Sequence, residues 1–348
     1  MRVVVAMSGG VDSSVVAGLM ARAGHEVIGV TLQLYDHGAA VGRKGACCAG
    51  QDIYDAKRVA DRLGIAHYVV DAEARFRDSV ISAFADSYAS GETPVPCIAC
   101  NQHLKFGDLL AMARDLGAEA LATGHYVRRL EGAGGAELHR AVDDTRDQSW
   151  FLFATTREQL EFCRFPLGDV ASKAEVRALA EEMGLAVAAK ADSQDICFVP
   201  SGTYAEIVEK FRPEALAAGE IVGEDGVVLG MHQGIARYTV GQAKRLGNGA
   251  QHQVVKKIEP GTRRIIVGPR GAAGCEVRLR DVNWLIAPPA QALRAGVKMR
   301  ARDELHPARI LAEGTGAQLV LDEPALAAPG QAAVFYDGSR ILGGGFIV

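Results

Sequence analysis

The sequence predicts an α/β fold in which a parallel sheet with helices on both sides is followed by two smaller, mainly β domains. Three observations carry this. Short apolar runs alternate with helix-period segments in the first part, the texture after Pro200 changes to short apolar segments punctuated by Gly and Pro, and 348 residues exceed the usual size of one core.

In order along the chain, Val3 to Ala6, Val27 to Leu34, His67 to Asp71 and Ala120 to Thr123 are the short apolar runs expected to form strands. Between them Ser14 to Ala23, Ile53 to Leu63 and Leu104 to Leu116 carry helical spacing, with Ala56, Val59, Ala60 and Leu63 on one face. Strands alternating with helices imply a parallel sheet. Thr203 to Leu216 reads as a helical start to the middle part. Val227 to Leu229, Arg264 to Val267, Val277 to Leu279, Gln318 to Leu321 and Ala332 to Tyr336 follow as short strands of small β-rich domains or barrels. The expected domains are residues 1–200, 201–268 and 269–348.

Composition narrows the function classes. Hydrophobic residues make up 49% and charged residues 23%, which is globular rather than disordered. No apolar stretch approaches the roughly 18 residues of a membrane span, and Met1 to Ala6 lacks the basic start of a signal peptide, so a cytoplasmic protein without membrane partners is expected. Seven cysteines, an odd and sparse set, should be mostly reduced thiols. The net charge of −4 hides an asymmetry: residues 251–310 hold twelve Lys or Arg against five Asp or Glu. A basic region on an acidic body suits local phosphate contact, although a solvated basic face has the same composition.

The strongest motif is Ser8-Gly9-Gly10-Val11-Asp12-Ser13-Ser14, between the first strand and the first helix. Glycines let backbone N–H groups approach an anion, hydroxyls add donors and the helix N-terminus adds its positive end, which together make a phosphate cradle. Neither the Walker ending nor the dinucleotide Gly-x-Gly-x-x-Gly is present. A second group of signals lies in the thiols. Pro96-Cys97-Ile98-Ala99-Cys100 is followed about a hundred residues later by Asp192-Ser193-Gln194-Asp195-Ile196-Cys197-Phe198. Two cysteines in separate loops suit sulfur transfer, in which one carries a persulfide and the other releases it through a disulfide. The same three thiols, Cys97, Cys100 and Cys197, have a spacing that also suits three corners of an iron–sulfur cluster. Cys163 and Cys275 read as small buried hydrophobes and Cys47-Cys48 as structural. His232, His252 and His306 lack motif context and read as ordinary satisfied histidines.

Ser-Gly-Gly-x-Asp-Ser resembles the PP-loop of ATP pyrophosphatases. With Ala122-Thr123-Gly124-His125-Tyr126, Arg146-Asp147-Gln148-Ser149, the two cysteine segments, Gly241-Gln242 and Pro329-Gly330-Gln331, nearly the whole chain resembles the tRNA-specific 2-thiouridylase family. The resemblance implies a PP-loop nucleotide-binding domain and ATP-dependent 2-thiolation of a tRNA wobble uridine. It places ATP against Ala6, Met7, Ser8, Gly9, Gly10, Val11, Asp12 and Ser13, with Leu32 and Gly124 also at the nucleotide and Asp12 near Mg2+. It makes Cys197 the persulfide carrier and Cys100 its partner thiol. Val95, Pro96 and Cys97 would approach the target base, while His125, Arg146, Asp147 and Gln148 would touch RNA. Arg300, Ala301 and Gln331 would contact it from the C-terminal domain.

The family's usual Asn-Pro-Asp is here Val95-Pro96-Cys97, which adds a third thiol, and Ala301 stands where an aromatic is common. The implied cofactors are ATP and Mg2+, with a 4Fe-4S cluster on Cys97, Cys100 and Cys197 as the alternative to a persulfide. The implied partners are tRNA and a persulfide sulfur donor, either a cysteine desulfurase or a relay protein. A competing reading is an amide-forming ATP pyrophosphatase, a ligase or synthetase, which has no use for paired reactive cysteines. A non-catalytic nucleotide- or RNA-binding module would require a degenerate PP-loop, whereas Ser8, Gly9, Gly10, Asp12 and Ser13 are all present.

Overall fold

The computed structural model describes residues 1–34, 48–192, 196–199, 203–247, 250, 252–271 and 274–348. Cys47, the side chain of Cys48, Ser193 to Asp195, Gln251 and the expected boundary at Pro200 lie outside the described residues. By compactness the chain forms two units. The first holds residues 1–79, 98–194 and 339–341, the second residues 80–97, 195–338 and 342–348.

The first unit is built on five parallel strands. β1 (Arg2–Ala6), β2 (Glu26–Gln33), β3 (Ala66–Asp71), β4 (Ala120–Ala122) and β7 (Cys163–Arg164) take the order β3-β2-β1-β4-β7. Val3, Val4 and Val5 of β1 are fully buried, as the central strand of a sheet covered on both faces requires. Two antiparallel strands, β5 (Val127–Gly132) and β6 (Gly135–Arg140), form a hairpin between β4 and β7 in sequence. The helices α1 (Val11–Arg22), α2 (Cys48–Leu63) and α3 (Lys173–Glu182) bury Val15 and Val16, Ala56, Val59 and Ala60, and Val176 and Ala180 in one core. The expected face of α2 is therefore the packed one. α3 begins at Ser172, whose hydroxyl accepts the Glu175 N–H at 3.3 Å.

This order creates a switch point. The chain leaves β1 towards β2 and β3, then returns to β4 on the other side of β1. Loops that leave β1 and β4 at their carboxyl ends diverge there, which is where open α/β sheets bind ligands. The Ser8 to Ser14 loop and Gly124 are those two loops.

The second unit holds α4 (Tyr204–Phe211), the helix Ser82–Ala89 and two sheets. Thr203 to Leu216 reads as helical in the sequence; α4 instead ends at Phe211, ahead of Pro213, and a 3-10 turn covers Pro213–Leu216. The smaller sheet has β8 (Gly219–Gly223), β9 (Val228–His232), β10 (Gln253–Glu259) and β11 (Arg264–Pro269) in the order β10-β11-β8-β9. The larger runs β12-β15-β14-β13-β16-β17 and closes through pairing of β12 with β17. Its strands are β12 (Gly274–Trp284), β13 (Leu293–Lys298), β14 (His306–Glu313), β15 (Gly316–Ala325), β16 (Ala332–Asp337) and β17 (Arg340–Ile347). Val297, Ile310, Leu319 and Phe335 fill the inside of this barrel. Closure removes the free edges that an open sheet would expose.

One side chain ties the phosphate-cradle loop to α2. Lys190 donates to Gly9 O at 2.9 Å, Asp52 at 2.7 Å and Asp55 at 2.6 Å. Burial works against its charge, yet the two carboxylates outweigh burial and raise its pKa. Replacing Lys190→Met leaves two neighbouring carboxylates without their cation, at an expected cost of about 1 to 3 kcal/mol. The melting midpoint should fall by roughly 5 °C, with Lys190→Arg recovering most of the loss, as differential scanning calorimetry would read.

Candidate active site

The cradle is shaped by glycines set tightly against their neighbours. Gly9 has φ +74°, and a Cβ there would stand 2.1 Å from the main-chain oxygen of Asp52. Gly124 lies against the first turn of α1, where a Cβ would stand 3.0 Å from Ser13 N and 3.1 Å from Asp12 Cβ. Gly10 starts α1 in an extended conformation, and no side chain caps the helix. The hydroxyls turn to the loop instead: Ser13 Oγ accepts the Ser8 N–H at 3.1 Å and Ser14 Oγ donates to Gly10 O at 2.8 Å. The first-turn N–H groups of α1 thus meet no capping side chain, an arrangement that suits phosphate oxygens. Ala6 ends β1, Met7 is buried beyond it with its N–H on Val30 O at 2.8 Å, Val11 is buried in the core, and Leu32 is partly buried on β2.

A ladder of charges adjoins the cradle. Lys173 Nζ lies 2.8 Å from both carboxylate oxygens of Asp12 and 2.8 Å from Asp192. Tyr126 donates its hydroxyl to Asp12 at 2.7 Å, and Lys173 stands over the Tyr126 ring at 5.9 Å. Arg146 at 2.8 Å and Arg177 at 3.5 Å complete the cation shell of Asp192. Burial opposes the Asp192 charge, but Lys173 and Arg146 outweigh it and hold the carboxyl below its usual range. Burial, joined by the bond to Asp12, raises Tyr126 far above an ordinary phenol, so it stays a donor. Lys173, with only 10% of its side chain exposed, is the residue that sequence reasoning missed. Its signal was Ser172-Lys173-Ala174-Glu175, the Ser-x-x-Glu start of a helix.

The expected RNA-contacting residues of this unit divide by what their side chains already hold. Asp147 is 6% exposed and accepts from Ala141 N, Ser149 N, Ser149 Oγ and Arg140 Nε. Gln148 bonds the Tyr126 main chain in both directions, at 2.9 and 3.0 Å. These two shape the loop, while Arg146 beside them keeps 38% of its side chain exposed. His125 bonds Thr123 Oγ1 at 2.8 Å and packs near Phe106 and Phe165. Burial, assisted by Lys105, pushes its pKa well below the usual value, so the ring is neutral near pH 7 and offers hydrogen bonds rather than charge.

The thiols differ in exposure. Cys100 opens the wide-turned helix Cys100–Leu109 in the first unit and is 8% exposed. Burial raises its pKa against the pull of Lys105, which is itself held by Asn101 at 2.9 Å. Cys97 and Cys197 belong to the second unit and are exposed. Cys163 is fully buried, and burial pushes its thiol up to about 12. Cys275 departs from expectation: it is only half-buried, near the start of β12 at the rim of the barrel core. Among the described residues no group of three or more His, Cys, Asp or Glu side chains is placed to hold a metal ion.

In the second unit the structure brings Thr93, two residues before Val95, together with Gln331. Thr93 N–H donates to Pro329 O at 2.7 Å, and Gln331 Nε2 donates to Thr93 O at 2.9 Å. Gly330, at φ +84°, packs where a Cβ would stand 2.7 Å from Glu92 Cβ and 2.8 Å from Thr93 N. Val95 is half-buried and Pro96 buried. Arg300 is exposed and Ala301 half-buried in the turn after β13, and a Cβ on Gly241 would stand 3.3 Å from the Arg300 guanidinium.

Comparison with known proteins agrees along the length. Family models described as tRNA methyl transferase HUP domain, tRNA methyl transferase PRC-barrel domain and aminomethyltransferase beta-barrel domain match residues 1–201, 205–269 and 275–347. The chain is 72% identical to a protein of Acidiphilium cryptum named tRNA-specific 2-thiouridylase MnmA, over all of both chains. Proteins of the same name from Gluconobacter oxydans and Rhodospirillum centenum are 65% and 59% identical. They match all of this chain and 99% and 91% of their own lengths.

The two environments predict different thiol reactivity. With iodoacetamide at pH 8, Cys197 should be labelled at least about ten times faster than Cys100, because the reagent needs an accessible thiolate. Peptide mapping by mass spectrometry reads the ratio, which should approach one in denaturant.

Proposed function

Because the chain belongs to the tRNA-specific 2-thiouridylase family, we propose that it replaces the C2 oxygen of the tRNA wobble uridine with sulfur at the expense of ATP. The observation that carries this reading is the uncapped start of α1 beside Gly9, which admits no Cβ, and Gly124, where a Cβ would crowd Ser13 N, with Asp12 and Lys173 alongside. The family models' descriptions speak of methyl transfer. The relatives matched end to end carry the thiouridylase name, and the reading follows them.

In this reading Ala6 to Ser13, Leu32 and Gly124 hold the ATP, its phosphates against the N–H groups of α1. Mg2+ beside Asp12 would offset charge on the pyrophosphate. The uracil C2 oxygen attacks the α-phosphorus and pyrophosphate leaves, which turns a poor leaving group into AMP. Lys173, already charged and fixed between Asp12 and Asp192, supplies positive potential without reorganisation. The terminal sulfur of a persulfide on Cys197 then attacks C2, and AMP departs with the original oxygen. Cys100 thiolate attacks the inner sulfur, forming a Cys100–Cys197 disulfide and leaving the thiolated base. An external dithiol restores both thiols, and a persulfide donor, a cysteine desulfurase or relay protein, reloads Cys197. Because the Cys100 thiol is buried and its pKa raised, it acts only after becoming accessible.

Val95 to Cys97 approach the base. Arg146, Arg300 and Gln331 contact the RNA, with Asp147 and Gln148 shaping the Arg146 loop and His125 contributing hydrogen bonds. The division into residues 1–200, 201–268 and 269–348 belongs to the same proposal and is supported by the three model matches. No helix among the described residues is long and apolar enough to cross a membrane, and a cytoplasmic site of action is part of the reading.

The test separates activation from sulfur transfer. With unmodified tRNA, ATP and a persulfide donor, the wild type should form AMP and 2-thiouridine. Asp12→Asn and Lys173→Met should each lower AMP formation by about 100-fold or more with tRNA binding retained. Cys197→Ser should still form AMP but no thiouridine. Thiouridine made by Cys197→Ser would remove the persulfide step, and unchanged AMP formation by folded Asp12→Asn would remove the nucleotide assignment.

A further inference from the structure

A cavity of about 350 Å³ in the second unit has Val199, Tyr204, Arg237, Gln242 and Arg245 in its lining. It lies within the size range of ligand pockets. The segment Val95 to Cys97, Cys100 and Cys197 do not line it, while Val199, two residues after Cys197, does. Its composition is unusual for a packing defect. Arg237 and Arg245 are both exposed, and among the described residues neither forms an ion pair; Arg237 Nε alone donates, to Gln233 O at 3.0 Å. Two guanidinium groups without a carboxylate partner at one cavity can offer an anion charge-assisted, bidentate hydrogen bonds.

The backbone holds this arrangement against its own preference. Arg245 sits at φ +67°, a conformation that side chains other than glycine rarely adopt, and its carbonyl accepts the Tyr238 hydroxyl at 2.9 Å. Gln242 donates Nε2 to Lys244 O at 2.8 Å, which leaves its Oε1 as an acceptor at the cavity wall. Tyr204 offers a ring that is 37% exposed and anchored edge-on against Phe84 at 6.1 Å. Gly241, the neighbour of Gln242 on the loop, sits where a Cβ would approach the guanidinium of Arg300, a proposed RNA contact, to 3.3 Å.

We propose that this cavity is a second RNA-binding site that takes one nucleotide of the bound tRNA other than the one being thiolated. Arg237 and Arg245 hold its phosphate, Tyr204 stacks on its base, and Gln242 accepts a hydrogen bond from the base edge. Phosphate-holding arginines beside an exposed ring form the combination by which single-stranded RNA is gripped. The inference rests on the thiouridylase reading, and it locates part of the RNA grip in the middle of the chain.

The experiment measures tRNA affinity over a salt series for wild type, Arg237→Ala/Arg245→Ala, Arg237→Lys/Arg245→Lys and Tyr204→Ala. ATP binding without tRNA and the melting midpoint serve as controls. The alanine pair should weaken binding at least about tenfold and reduce the slope of log Kd against log salt by about 0.7 for each phosphate no longer held. The lysine pair should restore the slope, and Tyr204→Ala should weaken binding about tenfold with the slope kept. A wild type that binds tRNA with an alanine pair that binds it equally well, on the same slope, would overturn the cavity proposal alone. A wild type without tRNA binding would overturn the thiouridylase reading and this proposal with it. Free uridine monophosphate protecting the two arginines from phenylglyoxal at concentrations where tRNA does not would assign the site to a free nucleotide and overturn the RNA assignment.

Discussion

The salt link from Asp12 through Lys173 to Asp192 is the interaction on which the nucleotide-binding half depends. A helix start that offers bare N–H groups to phosphate also carries Asp12 in its first turn, and a carboxylate there repels the phosphate that the N–H groups attract. Lys173 resolves the conflict by bonding both oxygens of Asp12, while Asp192 shares its charge. The result is two carboxylates sharing one cation, with Arg146 and Arg177 adding positive charge at Asp192, held by Tyr126 and by the packing of α3 on the core. Arg146, the exposed member of the next loop, joins the same ladder through Asp192, so the loop assigned to RNA and the loop assigned to ATP share one electrostatic support.

The second unit solves a different problem. A segment proposed to approach a base needs a fixed backbone. Thr93 and Gly330 provide this by main-chain contact, and the barrel behind Gln331 supplies the rigidity. A loop held through its backbone tolerates exchange of side chains, which accords with Val95 and Cys97 standing where relatives commonly carry Asn and Asp. The aromatic group of Phe84, Tyr88, Phe198 and Tyr204 ties the chain that follows Cys197 to the helix Ser82–Ala89.

Much of the first unit was legible because its signals are local. Valine-rich buried strands, helical spacing on α2 and a glycine turn between strand and helix each declare themselves within ten residues. The charge ladder was not legible. Asp12, Lys173 and Asp192 are scattered along the chain, and Lys173 looks like a surface lysine until the fold places it beside Asp12. Likewise Lys190 carries no motif, yet it pins the cradle. In the barrel, β13, β14 and β17 were not named: charge interrupts the alternation in His306–Glu313, and three consecutive glycines weaken the strand signal of Arg340–Ile347. Thiol identity was readable but thiol state was not, since burial of Cys100 and exposure of Cys197 are properties of the packed chain.

The close approach of Gly9 to Asp52 constrains inheritance in an uncommon way. What excludes a side chain at position 9 is a main-chain oxygen, and every amino acid at position 52 supplies the same oxygen. No replacement at position 52 can open room for a larger residue at position 9, so the two positions touch without forming a compensating pair. Among related sequences the glycine should stand invariant while its neighbour drifts under a separate requirement, the attraction of its carboxylate to Lys190. Methods that find neighbours through correlated change would overlook the tightest approach in the cradle.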